Sequence, residues 1–71
     1  MSKYAYLCMN DTTNGPVYRL ETRKPTPRVW GKPKDTDCDA AWRMPWGLYR
    51  DGLRPYGWDV PTFRMQSDKI V

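Results

Sequence analysis

The sequence predicts a small α+β domain, rich in β-structure, with an N-terminal hairpin, one short helix and a long basic proline-rich loop. Three observations lead there. A chain of 71 residues has room for one core, since a domain of this size buries only about 60% of the surface its unfolded form exposes. Its opening third alternates polar and apolar side chains around a dense cluster of turn residues, the pattern of paired strands. Seven prolines and five glycines break up the rest, because proline lacks the backbone donor that a helix interior uses. Residues 1–71 are therefore read as one small domain.

The first strand is expected in the segment Lys3-Tyr-Ala-Tyr-Leu-Cys-Met9 and its partner in Val17-Tyr-Arg-Leu-Glu-Thr-Arg23, joined through Asn10-Asp-Thr-Thr-Asn-Gly-Pro16. Asn-Gly between two such runs is a strong hairpin signal. Period-two alternation sets Ala5, Leu7 and Met9 apart from Tyr4, Tyr6 and Cys8, and Tyr18 and Leu20 apart from Val17, Arg19, Glu21 and Arg23. One face is then core, and the other carries aromatics and cations. Residues 24–34 contain three prolines and read as extended chain. A short helix is expected over Cys38–Met44, capped by Thr36 or Asp37, with Asp39 in its first turn, where the helix dipole favours a negative charge. Asp51-Gly52 suggests a second hairpin between Leu48-Tyr-Arg50 and Leu53-Arg54, with Pro55 confining its second arm to an edge. A last strand is expected from Val60 or Thr62 to Met65, and residues 66–71 are read as a flexible tail.

Composition narrows the chemistry. The chain has no histidine and a single glutamate, Glu21, so the side chain best suited to proton transfer near neutral pH is missing. Ser-His-Asp and Cys-His catalysis are excluded, no glycine-rich phosphate loop is present, and a non-enzymatic protein is expected, with no catalytic residues. Cys8 and Cys38 are the whole cysteine inventory, too few for a zinc set. They are read as reduced, buried, structural thiols, with a disulfide as the alternative in an oxidising compartment. Asp35-Thr-Asp37-Cys-Asp39 begins like a calcium loop, but the sixth position is Ala40 instead of glycine and the twelfth is Trp46 instead of glutamate. No metal and no cofactor are expected. No segment approaches the roughly 18 apolar residues of a spanning helix, and the first ten residues lack a signal-peptide pattern. A cytoplasmic monomer with no membrane partner is the expectation.

Charge and aromatic content point to binding. The net charge is +4 and 14% of residues are aromatic. The charge is regional: residues 19–34 hold six cations against one anion, a local +5, whereas residues 35–42 carry −3 and residues 43–64 carry +2. Arg19, Arg23, Lys24, Arg28, Lys32 and Lys34 around Trp30 combine phosphate-binding cations with a ring able to stack on a base, the ingredients of single-stranded nucleic-acid binding. A second set, Trp42, Arg43, Trp46, Arg50, Arg54 and Trp58, is made of the residue types most enriched at protein-binding hot spots. Some of these tryptophans are also expected to serve as core, because aliphatics are scarce. Tyr4 and Tyr6 lie on an N-terminal strand whose open edge would accept a partner strand.

In size, histidine-free basic composition and the pairing of a Pro/Lys-rich stretch (Lys24 to Lys34) with a Trp/Arg-rich half (Trp42 to Arg64), the chain resembles small bacteriophage host-takeover proteins. Within that group it is similar to short regulators that bind bacterial RNA polymerase and alter initiation or termination. The resemblance implies a protein that docks on a host machine in the host cytoplasm and regulates transcription by inhibition or antitermination, with its basic loop near nucleic acid. It carries over no residue roles. Direct binding of single-stranded DNA or RNA is the alternative. Inhibition of a host nuclease by mimicry is a third, and the net positive charge opposes its DNA-mimic form.

Overall fold

A computed structural model describes residues 3–27 and 37–71 of the chain. The fold is small, mixed α+β and β-rich. Four strands form one antiparallel sheet in the order β2-β1-β5-β6, where β1 is Tyr4–Thr12, β2 is Gly15–Glu21, β5 is Ala40–Pro45 and β6 is Asp68–Lys69. Two short strands, β3 (Thr26–Pro27) and β4 (Asp37–Cys38), pair in parallel beside it.

The N-terminal hairpin is present, with a tighter turn than the sequence suggests. Strand β1 runs on to Thr12, and Thr12 pairs with Gly15 across Thr13 and Asn14. The Thr12 hydroxyl donates to the Gly15 carbonyl at 2.6 Å and accepts from the Asn14 N–H at 3.2 Å. Gly15 has φ +108°, a conformation that costs a residue with a Cβ dearly. The expected division of faces also holds. Leu7 lies opposite both Leu20 and Trp42, and Ala5 opposite Met44; on the other side, Cys8 lies opposite Arg19 and Ala41, and Tyr6 opposite Arg43.

Strand β1 is central, not an edge. It pairs with β2 on one side and β5 on the other, so Ala5, Tyr6, Leu7 and Cys8 are all buried; the expected open edge is closed from Tyr6 onward, and Tyr4 pairs on the β5 side alone. The second neighbour is the segment expected to be helical. Residues 38–44 are extended because Ala40, Trp42 and Met44 pack into the main core while Ala41 packs against the two cysteines on the opposite face; burial on both faces favours a strand over a one-sided helix. The acidic residues do other work. Asp37 sits in β4, 4% exposed, and accepts from the Thr26 hydroxyl at 3.0 Å, while Asp39 Oδ2 accepts from the Asp11 N–H at 2.7 Å, tying the hairpin to the start of β5.

Helical structure occupies the positions read as strands. Residues 46–56 form one continuous helical stretch: α1 (Trp46–Leu48), a wide turn at Tyr49–Leu53 and a 3-10 turn at Arg54–Tyr56. Tyr49 and Leu53 are buried in it. Their spacing of four puts both on one helical face, which decides against the expected Asp51-Gly52 hairpin. Pro55 stands at the start of the last turn, where its missing N–H has no role to fill. Helix α2 (Val60–Met65) replaces the expected last strand: Asp59 caps it by accepting the Thr62 N–H at 2.7 Å, and Pro61 occupies its first turn. The segment read as a tail is also ordered into the sheet, with Lys69 opposite Trp42 and Asp68 opposite Arg43.

Both helices cover one face of the sheet. The main core is Ala5, Leu7, Ala40, Trp42 and Met44 from the strands with Tyr49, Leu53 and Phe63 from the helices. Tyr49 and Phe63 meet edge to face at 6.2 Å. A smaller cluster of Cys8, Cys38 and Ala41, with Ile70 and Val71 against it, lies on the other face. There the cysteines are joined as a disulfide, with Cα atoms 5.7 Å apart, correcting the expectation of two reduced thiols. Their pairing follows from β4 crossing beside β1, which brings together residues thirty positions apart in the chain. Of the basic proline-rich loop, Pro25 is buried and Thr26–Pro27 pair with Asp37–Cys38; residues 28–34 lie outside the described residues.

Candidate partner-binding surface

Trp46 stands where β5 leaves the sheet. Its N–H donates to the Lys3 carbonyl at 2.9 Å, which anchors Lys3 beside the indole; the Lys3 ammonium lies 4.7 Å from the ring centroid. One helical stretch later the chain brings the Arg54 guanidinium to 5.8 Å from the same ring. Tyr49 packs against Trp46 at 5.3 Å with the planes tilted by 47°. Between this group and the end of β2 lies a cleft of about 180 Å³. Ala5 and Leu20 line it with apolar surface, Trp46 and Tyr49 with aromatic surface, and Glu21, Thr22 and Arg54 supply its polar groups. Glu21 is paired with Arg19, Oε1 to Nε at 3.0 Å.

The other Trp/Arg residues are distributed over two faces. Trp42 is a core residue, 8% exposed, and Arg64 of α2 lies 4.8 Å from its ring; together with Pro61 and Met65 they line a shallow open groove. Trp58 is partly buried against the main core. Arg50 is exposed and pairs with its neighbour Asp51 at 3.0 Å, whose hydrogen bond and charge hold the guanidinium above its ordinary pKa. On the opposite face Arg43 covers Tyr4 at 4.8 Å, and Tyr4 meets Tyr6 at 6.2 Å. Tyr6 is 7% exposed. Tyr6 and Trp42 therefore leave little surface of their own exposed, and Trp42 carries Arg64 over its ring.

Of the residues expected to meet nucleic acid, Arg19 is half-buried and committed to Glu21 and to the Asp37 carbonyl at 3.4 Å. Arg23 and Lys24 are exposed. Arg28, Trp30, Lys32 and Lys34 lie outside the described residues. Sequence reasoning missed three contributors: Lys3 on Trp46, Arg64 on Trp42, and Met65, which is 85% exposed. Nothing local marks Lys3, which meets Trp46 only through the sheet. Arg64 and Met65 become legible once 60–65 is read as a helix with Phe63 turned inward.

Among the described residues no group of three or more His, Cys, Asp or Glu side chains is placed to hold a metal ion, and no helix is long and apolar enough to cross a membrane. Three aromatic rings overlaid by four cations, one of them beside a partly apolar cleft, suit non-covalent recognition. Comparison with protein-family models, with curated proteins and with solved structures finds no match.

Proposed function

We propose that this chain is a non-enzymatic docking module that binds a host macromolecular machine, with bacterial RNA polymerase as the partner to test first, and that it regulates transcription by occupying a surface of that machine. The observation that carries the docking reading is the Trp46 site: Lys3, Arg54 and Tyr49 converge on one half-buried indole at the mouth of a cleft. Arginine and tryptophan gathered at a concave spot are what binding hot spots are made of. The partner is suggested by the compositional resemblance alone. In this reading the basic segment following Lys24 lies near nucleic acid on the assembled complex.

The same geometry favours protein docking over base stacking. A nucleobase needs an open ring face, whereas Trp42, Trp46 and Tyr4 each already have a cation over the ring. Exposed Arg23 and Lys24 still support a nucleic-acid contact through phosphates. The two readings separate on one pair of experiments. The tagged chain, incubated with bacterial lysate at moderate salt, should retain polymerase subunits, and failure to retain any would remove the polymerase reading. Reversing charge at Arg28 and Lys32 should leave that retention largely intact; a variant that loses both polymerase and oligonucleotide binding would favour direct nucleic-acid binding.

The host cytoplasm is the proposed location, and the disulfide bears directly on it. Cytosolic glutathione and thioredoxin keep thiols reduced, so in that compartment Cys8 and Cys38 would be adjacent buried thiols instead of a bond.

A further inference from the structure

We propose that the Trp46 cleft receives an apolar side chain from an acidic, extended segment of the partner protein. This rests on the docking reading above and specifies its site and chemistry. The cleft offers Ala5 and Leu20 as apolar surface and Trp46 and Tyr49 as aromatic surface, room suited to a side chain of leucine or phenylalanine size. Its charge is unbalanced in one direction. Glu21, the carboxylate in the lining, is already paired with Arg19, whereas Lys3 and Arg54 both lie over Trp46 and, among the described residues, neither meets a carboxylate within 4 Å. An apolar group entering the cleft would thus carry carboxylates flanking it into a field set by two cations, and charge-assisted contacts of that kind fix register and orientation. An extended segment fits because Leu20, Glu21 and Thr22 run consecutively along the cleft at the end of β2, a strand with β1 on one side and no strand on the other among the described residues. Laid beside it, a peptide's alternate side chains would face the cleft, as in strand-addition recognition.

The experiment is a titration of the ¹⁵N-labelled, oxidised full chain with a blocked hexapeptide of sequence Asp-Glu-Leu-Phe-Asp-Glu, followed at the Trp46 indole N–H and at the amides of Leu20, Glu21 and Thr22. Saturable shifts at these positions are expected. Binding should weaken at least tenfold when the four carboxylates are replaced by amides, when Leu and Phe are replaced by alanine, and when the protein carries Lys3→Glu with Arg54→Glu. Both substituted residues are exposed, and unchanged resonances for Phe63 and Leu7 would verify that the core is intact. Absence of shifts at millimolar peptide, equal binding of the amide peptide, or the same shifts produced by a thymidine oligonucleotide would each overturn the proposal. Polymerase retention, run in parallel, separates the two ideas. Equal retention by wild type and by the double variant overturns the cleft while docking stands; no retention by wild type removes the polymerase reading and leaves the peptide titration to decide the cleft.

Discussion

Asp59 shows how much a single short side chain organises here. Helix α2 has six residues, too few to persist without help from outside its own backbone. The Asp59 carboxylate supplies part of that help by accepting the Thr62 N–H at 2.7 Å, and the bond holds its pKa below the ordinary value. The sign of the pH effect follows: a carboxyl lowered in the folded state contributes stability that is complete above its unfolded pKa of about 3.9 and is lost as pH falls through the lower folded value. Asp59→Ala should therefore have a lower Tm than wild type at pH 6, and the gap should close on acidification to about pH 2. A gap unchanged at low pH would show that the cap does not act through the ionised carboxylate. Phe63, 0% exposed and wedged against Tyr49, is where that help pays off in packing. Phe63→Ala should cost about 3–5 kcal/mol in urea denaturation, a large part of what so small a domain has.

At the scale of elements, the hairpin was legible and the C-terminal half was not, for one physical reason. In β1 and β2 the alternation of Leu7, Met9, Tyr18 and Leu20 against Cys8, Arg19 and Glu21 is a local signal that the register confirms. In β5, Asp37 and Asp39 look like helix-capping residues, and Ala40 and Ala41 have no strand preference. What makes the segment a strand is β1, far earlier in the chain, offering a buried position on each face. Asp51-Gly52 reads locally as a hairpin turn, but the spacing of Tyr49 and Leu53 makes the segment helical, and the cap-plus-proline start at Asp59 and Pro61 makes 60–65 a helix where a strand is expected. The candidate site was half visible: Trp46 and Arg54 are conspicuous in sequence, while Lys3 enters only through the backbone bond to Trp46. Strand β6 has a further role. It holds Ile70 and Val71 over the disulfide, with both N–H groups donating to the Ala41 carbonyl. Replacing Ile70 and Val71 by serine should accelerate reduction of the bond by dithiothreitol several-fold, followed by mass spectrometry of alkylated thiols, because thiol exchange depends on access to the sulfur. Equal rates would mean that the cover opens freely.

For the molecule as a whole the disulfide ranks with the largest core side chains as a source of stability. It closes a loop spanning thirty positions, for which the chain-entropy estimate is roughly 3–4 kcal/mol of stabilisation, acting mainly on the unfolded state. Against the 5–15 kcal/mol typical of a whole domain, and in a chain whose length limits its core, that fraction is large. Both sulfurs are buried, Cys8 and Cys38 each being 1% exposed, so replacing them with serine would add polar burial to the lost constraint. Cys8→Ala with Cys38→Ala removes the constraint with less of that penalty and should lower the urea midpoint by an amount consistent with roughly 3 kcal/mol. Oxidised wild type and the double-alanine variant of equal stability would show that the bond constrains nothing that matters. The comparison also bears on where the protein works. If the double-alanine variant still folds and still retains the same partner, the chain can act with reduced cysteines, as the cytoplasmic reading requires. Should the variant unfold at 37 °C while the oxidised chain binds, the bond is a condition of function, and an oxidising compartment replaces the cytoplasm as the site of action.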